Sequence, residues 1–136
     1  MQVWNACEQA NTLRFWWGQP RGATMPYIEL DFRVGGSLHF RVELGSGEVV
    51  WGKAIYKEIV PLEKIVIENH FSNEQGELLD SRELPASIIT VTLTEEGYNT
   101  KITIHHEGLT GSHTIEEYKA GWTQSLERLA MELINQ

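Results

Sequence analysis

Apolar side chains at positions 3, 4, 6, 7, 10, 13, 16 and 17 recur with a helical period rather than by alternation, so the chain is expected to open in helix. Gly18 and Pro20 stop that helix, and turn formers run on to Pro26. From Tyr27 a two-residue alternation takes over. Ile28, Leu30, Phe32 and Val34 share one face, and Glu29, Asp31 and Arg33 the other. Gly35-Gly36 suits a tight hairpin with φ > 0 at two positions. The returning strand then carries Leu38, Phe40, Val42 and Leu44, and Gly45-Ser46-Gly47 makes the next turn. Residues 48–60 bear apolar groups on both faces, which predicts a bulge or two-sided burial before Pro61 ends the strand. Ile65, Ile67 and Phe71 mark a fourth strand, and Ile89, Val91 and Leu93 a fifth. Ile102, Ile104 and His106 mark a sixth, after the Glu96-Gly97 turn. Between the fourth and fifth, residues 72–85 are acidic and poorly patterned, and a loop of that length is expected to be mobile, functional or both.

The helical period returns at Ile115, with Tyr118, Trp122, Leu126, Leu129 and Leu133 on one stripe. Thr114 with Glu117 three residues on reads as a capping box. A helix of roughly 20 residues is about 30 Å long. The fold class is therefore α+β: one domain over residues 1–136, a curved antiparallel meander of about six strands, and a long C-terminal helix. A twisted sheet draws away from a straight rod at its ends. The gap must be filled by large side chains or left as a pocket. Phe32, Phe40, Phe71, Tyr118 and Trp122 are the bulky groups available there, so a ligand site is expected between helix and sheet.

Composition narrows the partners. With 136 residues, 41% hydrophobic and 22% charged, the chain is neither disordered nor collagen-like. A net charge of −8 repels nucleic acid and anionic membranes, and neither is expected as a partner. The single Cys7 excludes an internal disulfide and suits a reducing compartment. No apolar stretch approaches the roughly 18 to 20 residues of a membrane span, and Met1-Gln2-Val3-Trp4 lacks the marks of a signal peptide. A cytoplasmic location is expected.

Candidate chemistry is sparse. His105-His106 would point to opposite faces of a strand and cannot chelate one ion, and His39, His70 and His113 lie elsewhere. No metal site and no cofactor are expected. His106 shares a face with Ile102 and Ile104. An inward imidazole there could act as acid or base, though a structural bond to a backbone carbonyl near the helix start is favoured. Trp16-Trp17 could wall the cavity mouth or staple the helix end to the sheet. Tyr118 and Trp122 are either core or pocket lining, and a buried Trp122 N–H needs a partner. Asp31 and Arg33 are expected to pair on the outer face. Glu43, Glu58 and Glu68 would matter only if turned inward. No phosphate loop or nucleophile elbow occurs.

Four stretches, in order along nearly the whole chain, carry a family likeness. They are Val3-Trp4-Asn5-Ala6 with Leu13-Arg14-Phe15-Trp16-Trp17-Gly18-Gln19-Pro20; Asp31-Phe32-Arg33-Val34-Gly35-Gly36; Ile59-Val60-Pro61-Leu62-Glu63-Lys64-Ile65-Val66; and His106-Glu107-Gly108-Leu109 with Tyr118, Gly121-Trp122 and Leu126. The chain resembles the AHSA-type branch, homologues of the heat-shock-protein ATPase activator, of the START/Bet v 1-like (SRPBCC) superfamily. The resemblance implies a helix-grip fold around a hydrophobic cavity. Members are described as small-ligand binders, polyketide cyclase-like enzymes or stress-linked proteins. Two departures stand out. Members usually place a strand before the first helix, whereas this chain begins inside that helix. A sheet lacking that strand would expose an edge on residues 98–106 and invite homodimerisation. Gln9-Ala10 replaces the Asp-Pro that commonly breaks the first helical region, so the two short helices could merge.

The leading expectation is a binding protein for a small apolar or aromatic molecule, with Trp16, Phe32, Phe40, Phe71, His106, Tyr118 and Trp122 lining the cavity and no catalytic residue assigned. A cyclase- or hydratase-type enzyme using His106 or an inward Glu is the alternative. A chaperone-interacting module, with residues 72–85 as the place to look, is the third.

Overall fold

The computed structural model describes residues 2–19, 21–79, 86–108 and 115–134. Two short helices, α1 (Gln2–Glu8) and α2 (Ala10–Trp16), lead into six strands and a closing helix. The strands are β1 (Thr24–Leu30), β2 (Ser37–Glu43), β3 (Val49–Val60), β4 (Lys64–Phe71), β5 (Ser87–Glu96) and β6 (Asn99–Glu107). Helix α3 (Ile115–Ile134) follows. The strands lie in one sheet in sequence order, each antiparallel to the next, as the meander pattern predicts. The Thr114–Glu117 capping box lies outside the described residues, as do His113 and residues 80–85 of the acidic loop.

The two opening helices do not merge. Gln9 adopts an extended conformation (φ −120°, ψ 132°) and breaks the chain into two even without proline. The turn is held by Thr12, whose hydroxyl donates to the Gln9 carbonyl at 3.0 Å, and by the Trp16 indole, which donates to the Ala6 carbonyl at 3.0 Å inside the core. Trp16 thereby ties α2 back onto α1.

Register decides the faces. Ile28 and Leu30 lie opposite Phe40 and Leu38, which lie opposite Gly52 and Ala54. Those positions continue through Asn69 and Ile67 to Ser87 and Ile89, and then to His106. This concave face carries most of the apolar core, with Leu38, Ala54, Tyr56, Ile65, Ile67, Ile89 and Val91 almost wholly buried. The predicted bulge falls in β3, where the register slips between Tyr56 and Glu58.

The first hairpin departs from expectation. Strand β1 ends at Leu30, and residues 31–36 form a turn instead of continuing the alternation. Val34, expected on the inner face, is 62% exposed. Only Gly35 has positive φ (85°). Gly36 is needed for a different reason: a Cβ there would sit 2.2 Å from the Asp31 carbonyl oxygen. Residues 72–79 also differ from a structureless loop. They turn back over the convex face, where the Asn73 side-chain carbonyl accepts the Gln75 and Glu77 N–H groups and the Gly76 carbonyl meets Lys53 Nζ at 3.3 Å.

Helix α3 is lashed to the start of the chain more than to the sheet. The Ser125 hydroxyl, fully buried, donates to the Trp16 carbonyl. Gln124 accepts the Arg21 N–H at 2.7 Å, and Arg128 donates to the Ala23 carbonyl at 2.7 Å. Leu129 is buried below them. The earlier turns, around Tyr118 and Trp122, stand further off the concave face.

Candidate functional site

The gap beneath those turns is a cavity of about 300 Å³. Strands supply Phe40, Val42, Val50, Asn69, Phe71, Ile89 and His106 to its wall, and α3 supplies Tyr118, Gly121 and Trp122. Two glycines make the room. A Cβ on Gly52 would lie 2.5 Å from Phe40 Cζ, so the Phe40 ring rests directly over bare backbone. A Cβ on Gly121 would meet nothing within 4 Å, because its side of the helix faces open space.

Five of the seven residues expected to line a cavity do so: Phe40, Phe71, His106, Tyr118 and Trp122. Trp16 does not. Its ring is wholly buried between the helices and packs edge-on against Trp17 at 5.5 Å, and Trp17 borders the cavity instead. Phe32 is also elsewhere. The turn after β1 carries it away from the helix, edge-on to Tyr56 (5.0 Å) and Trp4 (5.9 Å). Asn69, Gly52 and Gly121 escaped the sequence reading. Residue 69 was legible, since it shares the alternation of Ile65, Ile67 and Phe71.

His106 is the polar centre of the wall. Its Nδ1 accepts the Trp122 indole N–H at 3.1 Å, and its Nε2 lies 2.7 Å from Ser87 Oγ. Indole nitrogen only donates, so Nδ1 must hold a lone pair and Nε2 the proton, which goes to Ser87. Burial, and to a lesser degree the neighbouring His105, pushes the His106 pKa down to about 4. The imidazole is neutral at physiological pH, and both nitrogens are engaged. The expected bond to a backbone carbonyl is replaced by these two side-chain partners. Trp122, whose N–H was open to a ligand or water, spends it on His106 and sets its ring edge-on to Trp17 at 5.2 Å.

Among the remaining candidates, His70 alone borders the cavity, and its imidazole is committed elsewhere. His105 pairs with exposed Glu107 at 2.8 Å, on the face opposite His106. His39 and His70 are buried on the convex side, where His39 Nε2 meets the Asn73 carbonyl and His70 Nε2 meets Glu68 at 2.7 Å. That imidazole, with Lys57, holds the Glu68 carboxyl below its usual range. Glu43 pairs with Arg41 and Glu58 with Lys64, so no glutamate turns inward among the described cavity residues. Asp31 and Arg33 pair in solvent at 2.8 Å, as their side-by-side placement predicts. No cluster of His, Cys, Asp and Glu able to hold a metal ion occurs among the described residues. No helix among them is long and apolar enough to cross a membrane.

A curled six-stranded antiparallel half-barrel closed by a C-terminal helix over a cavity defines the helix-grip class, the architecture of the SRPBCC superfamily. The family model described as Activator of Hsp90 ATPase homolog 1-like protein matches residues 1–133, and the chain belongs to that family. Membership supports a ligand-binding fold. A solved protein from Chromobacterium violaceum is 27% identical, with a TM-score of 0.80 over 96% of this chain and 85% of its own. One from Rhizobium loti is 28% identical, with a TM-score of 0.72 over 96% of this chain and 86% of its own. The AHSA1 protein of Silicibacter pomeroyi, 20% identical with a TM-score of 0.77 over 97% and 88%, shares the fold. No curated protein matches.

Proposed function

We propose that this protein binds a small apolar or aromatic molecule in the cavity between α3 and the concave face of the sheet. The observation that carries this reading is the 300 Å³ space, left open by Gly52 and Gly121 and walled largely by hydrocarbon. Phe40, Phe71, Tyr118 and Trp122 would give the contact area, with His106 holding Trp122 in place. A cytoplasmic setting belongs to the same proposal. It is supported by Cys7, a free thiol that burial pushes up to about 12 and so keeps protonated.

An acid–base enzyme is disfavoured by the bonding of its candidate residue. Both His106 nitrogens are committed to Trp122 and Ser87, so the ring has no spare lone pair to take up a proton. No observation favours a chaperone-interacting module beyond the family description.

The test is Gly121→Leu. The new side chain would enter open space, and replacing glycine inside a helix gains about 1 kcal/mol in helix propensity. Fluorescence titration with apolar probes should therefore show binding to the native protein and none to G121L, while the denaturation midpoint stays level or rises. Equal probe binding by both proteins would overturn the cavity reading.

A further inference from the structure

The cavity wall has one polar side chain that the fold itself leaves unanswered. Asn69 stands on β4 between Ala54 of β3 and Ser87 of β5, both on the concave face, and borders the cavity. Its neighbours are committed: His106 binds Ser87 and Trp122, and the His70 ring turns to Glu68 on the far side. The Asn69 amide hydrogen-bonds no other described residue. It thus offers two donors and an acceptor in one plane to whatever occupies the space. Among the described residues of the wall there is no Asp, Glu, Lys or Arg, so an ionised guest would be desolvated with no opposite charge to meet it. Size adds a third constraint. A cavity of about 150 Å³ accommodates benzene, and this one, at about 300 Å³, has room for two fused rings.

Building on the cavity reading above, we propose that the ligand is a neutral, flat molecule of about two fused rings whose one polar edge, a carboxamide or lactam, pairs with the Asn69 side chain. The pairing is reciprocal: the guest's carbonyl accepts from Asn69 Nδ2, and its N–H donates to Asn69 Oδ1. The aromatic wall takes the rest of the molecule, and Asn69 fixes which end enters first.

Three probes of one shape separate the contributions: naphthalene, 2-naphthamide and 2-naphthoate, titrated by NMR into the native protein and Asn69→Leu. In the native protein the naphthoate should bind weakest. The ratio of carboxamide to hydrocarbon affinity should fall about five- to hundredfold in N69L, the size of the two net neutral hydrogen bonds of the pairing. The native Asn69 side-chain NH₂ signals should move more with the carboxamide than with naphthalene. An unchanged ratio, or equal movement of those signals, overturns the assignment of Asn69 while leaving the cavity reading intact, since naphthalene would still bind. Binding of no probe would overturn both. Should N69L not fold, Asn69→Val and the native NH₂ signals carry the same comparison.

Discussion

Gly52 and Phe40 form a pair in which one residue's absence of side chain is the other's seat. The Phe40 ring lies so close over Gly52 that any Cβ there would overlap it. Gly52→Ala should force Phe40 off its rotamer and destabilise the protein by about 1–3 kcal/mol, the usual range for overpacking. The same substitution in a Phe40→Ala background should cost almost nothing, so urea denaturation of the four proteins should show strong coupling. Additive costs would mean that the ring is free to move aside. His106 supports a second prediction, one of pH. Its pKa is about 4 in the fold against 6.5 for a free imidazole, so the unfolded chain binds the extra proton first. Stability from this group is complete above pH 6.5, declines as pH falls towards 4, and is flat below that. Protonation would set an Nδ1–H against the Trp122 N–H, donor against donor. After discounting for the ring's partial exposure, the loss should be about 1–2 kcal/mol. His106→Gln should flatten that part of the profile, as denaturation midpoints between pH 4 and 7 would show. An identical slope in the variant would mean that other groups set it.

The sequence alone carried the elements further than it carried their contacts. Strand order, the β3 bulge and the inner stripe of α3 all follow from periods of two and 3.6, because burial on one face leaves a regular mark. Five wall residues were legible for the same reason. Phe32 and Val34 were misplaced because alternation cannot register where a strand stops. The Asp31–Gly36 turn is set by the backbone approach of Gly36 to Asp31, which leaves no hydrophobic signature. The Gln9 break was equally hidden. It is fixed by the Thr12 hydroxyl on the Gln9 carbonyl and by the Trp16 indole reaching back ten residues to Ala6, rather than by a helix-breaking residue. Bulky aromatics drew the prediction towards Trp16, whereas the cavity owes its existence to residues with no side chain at all. Gly121 sits in the early turns of α3, where the helix stands off the sheet. The lashing of Ser125 and Arg128 to the opening helices and the β1 approach holds the rod at that distance.

At the scale of the whole molecule the sheet has two edges, β1 and β6, and β6 pairs with β5 alone among the described strands. An edge of nine residues presents unmet N–H and C=O groups along one side, a template on which a second copy can add. β6 carries some protection, since Lys101, His105 and Glu107 place charge or polarity on its exposed positions. The charge of −8 on each copy adds repulsion at low salt. If two copies pair along β6, both effects predict a weak, salt-dependent dimer and not an obligate one. A two-fold dimer would set β6 antiparallel to its counterpart, continuing the meander into a twelve-stranded sheet and leaving the cavities on α3's side of each copy. Hydrogen exchange should then show alternate β6 amides, those pointing away from β5, gaining protection as protein concentration and ionic strength rise. The β5-facing amides should stay unchanged, and sedimentation should report a growing dimer fraction over the same range. Exchange at β6 that is independent of concentration, with a single monomer species throughout, would show that Lys101 and its polar neighbours are enough to keep the edge unpaired.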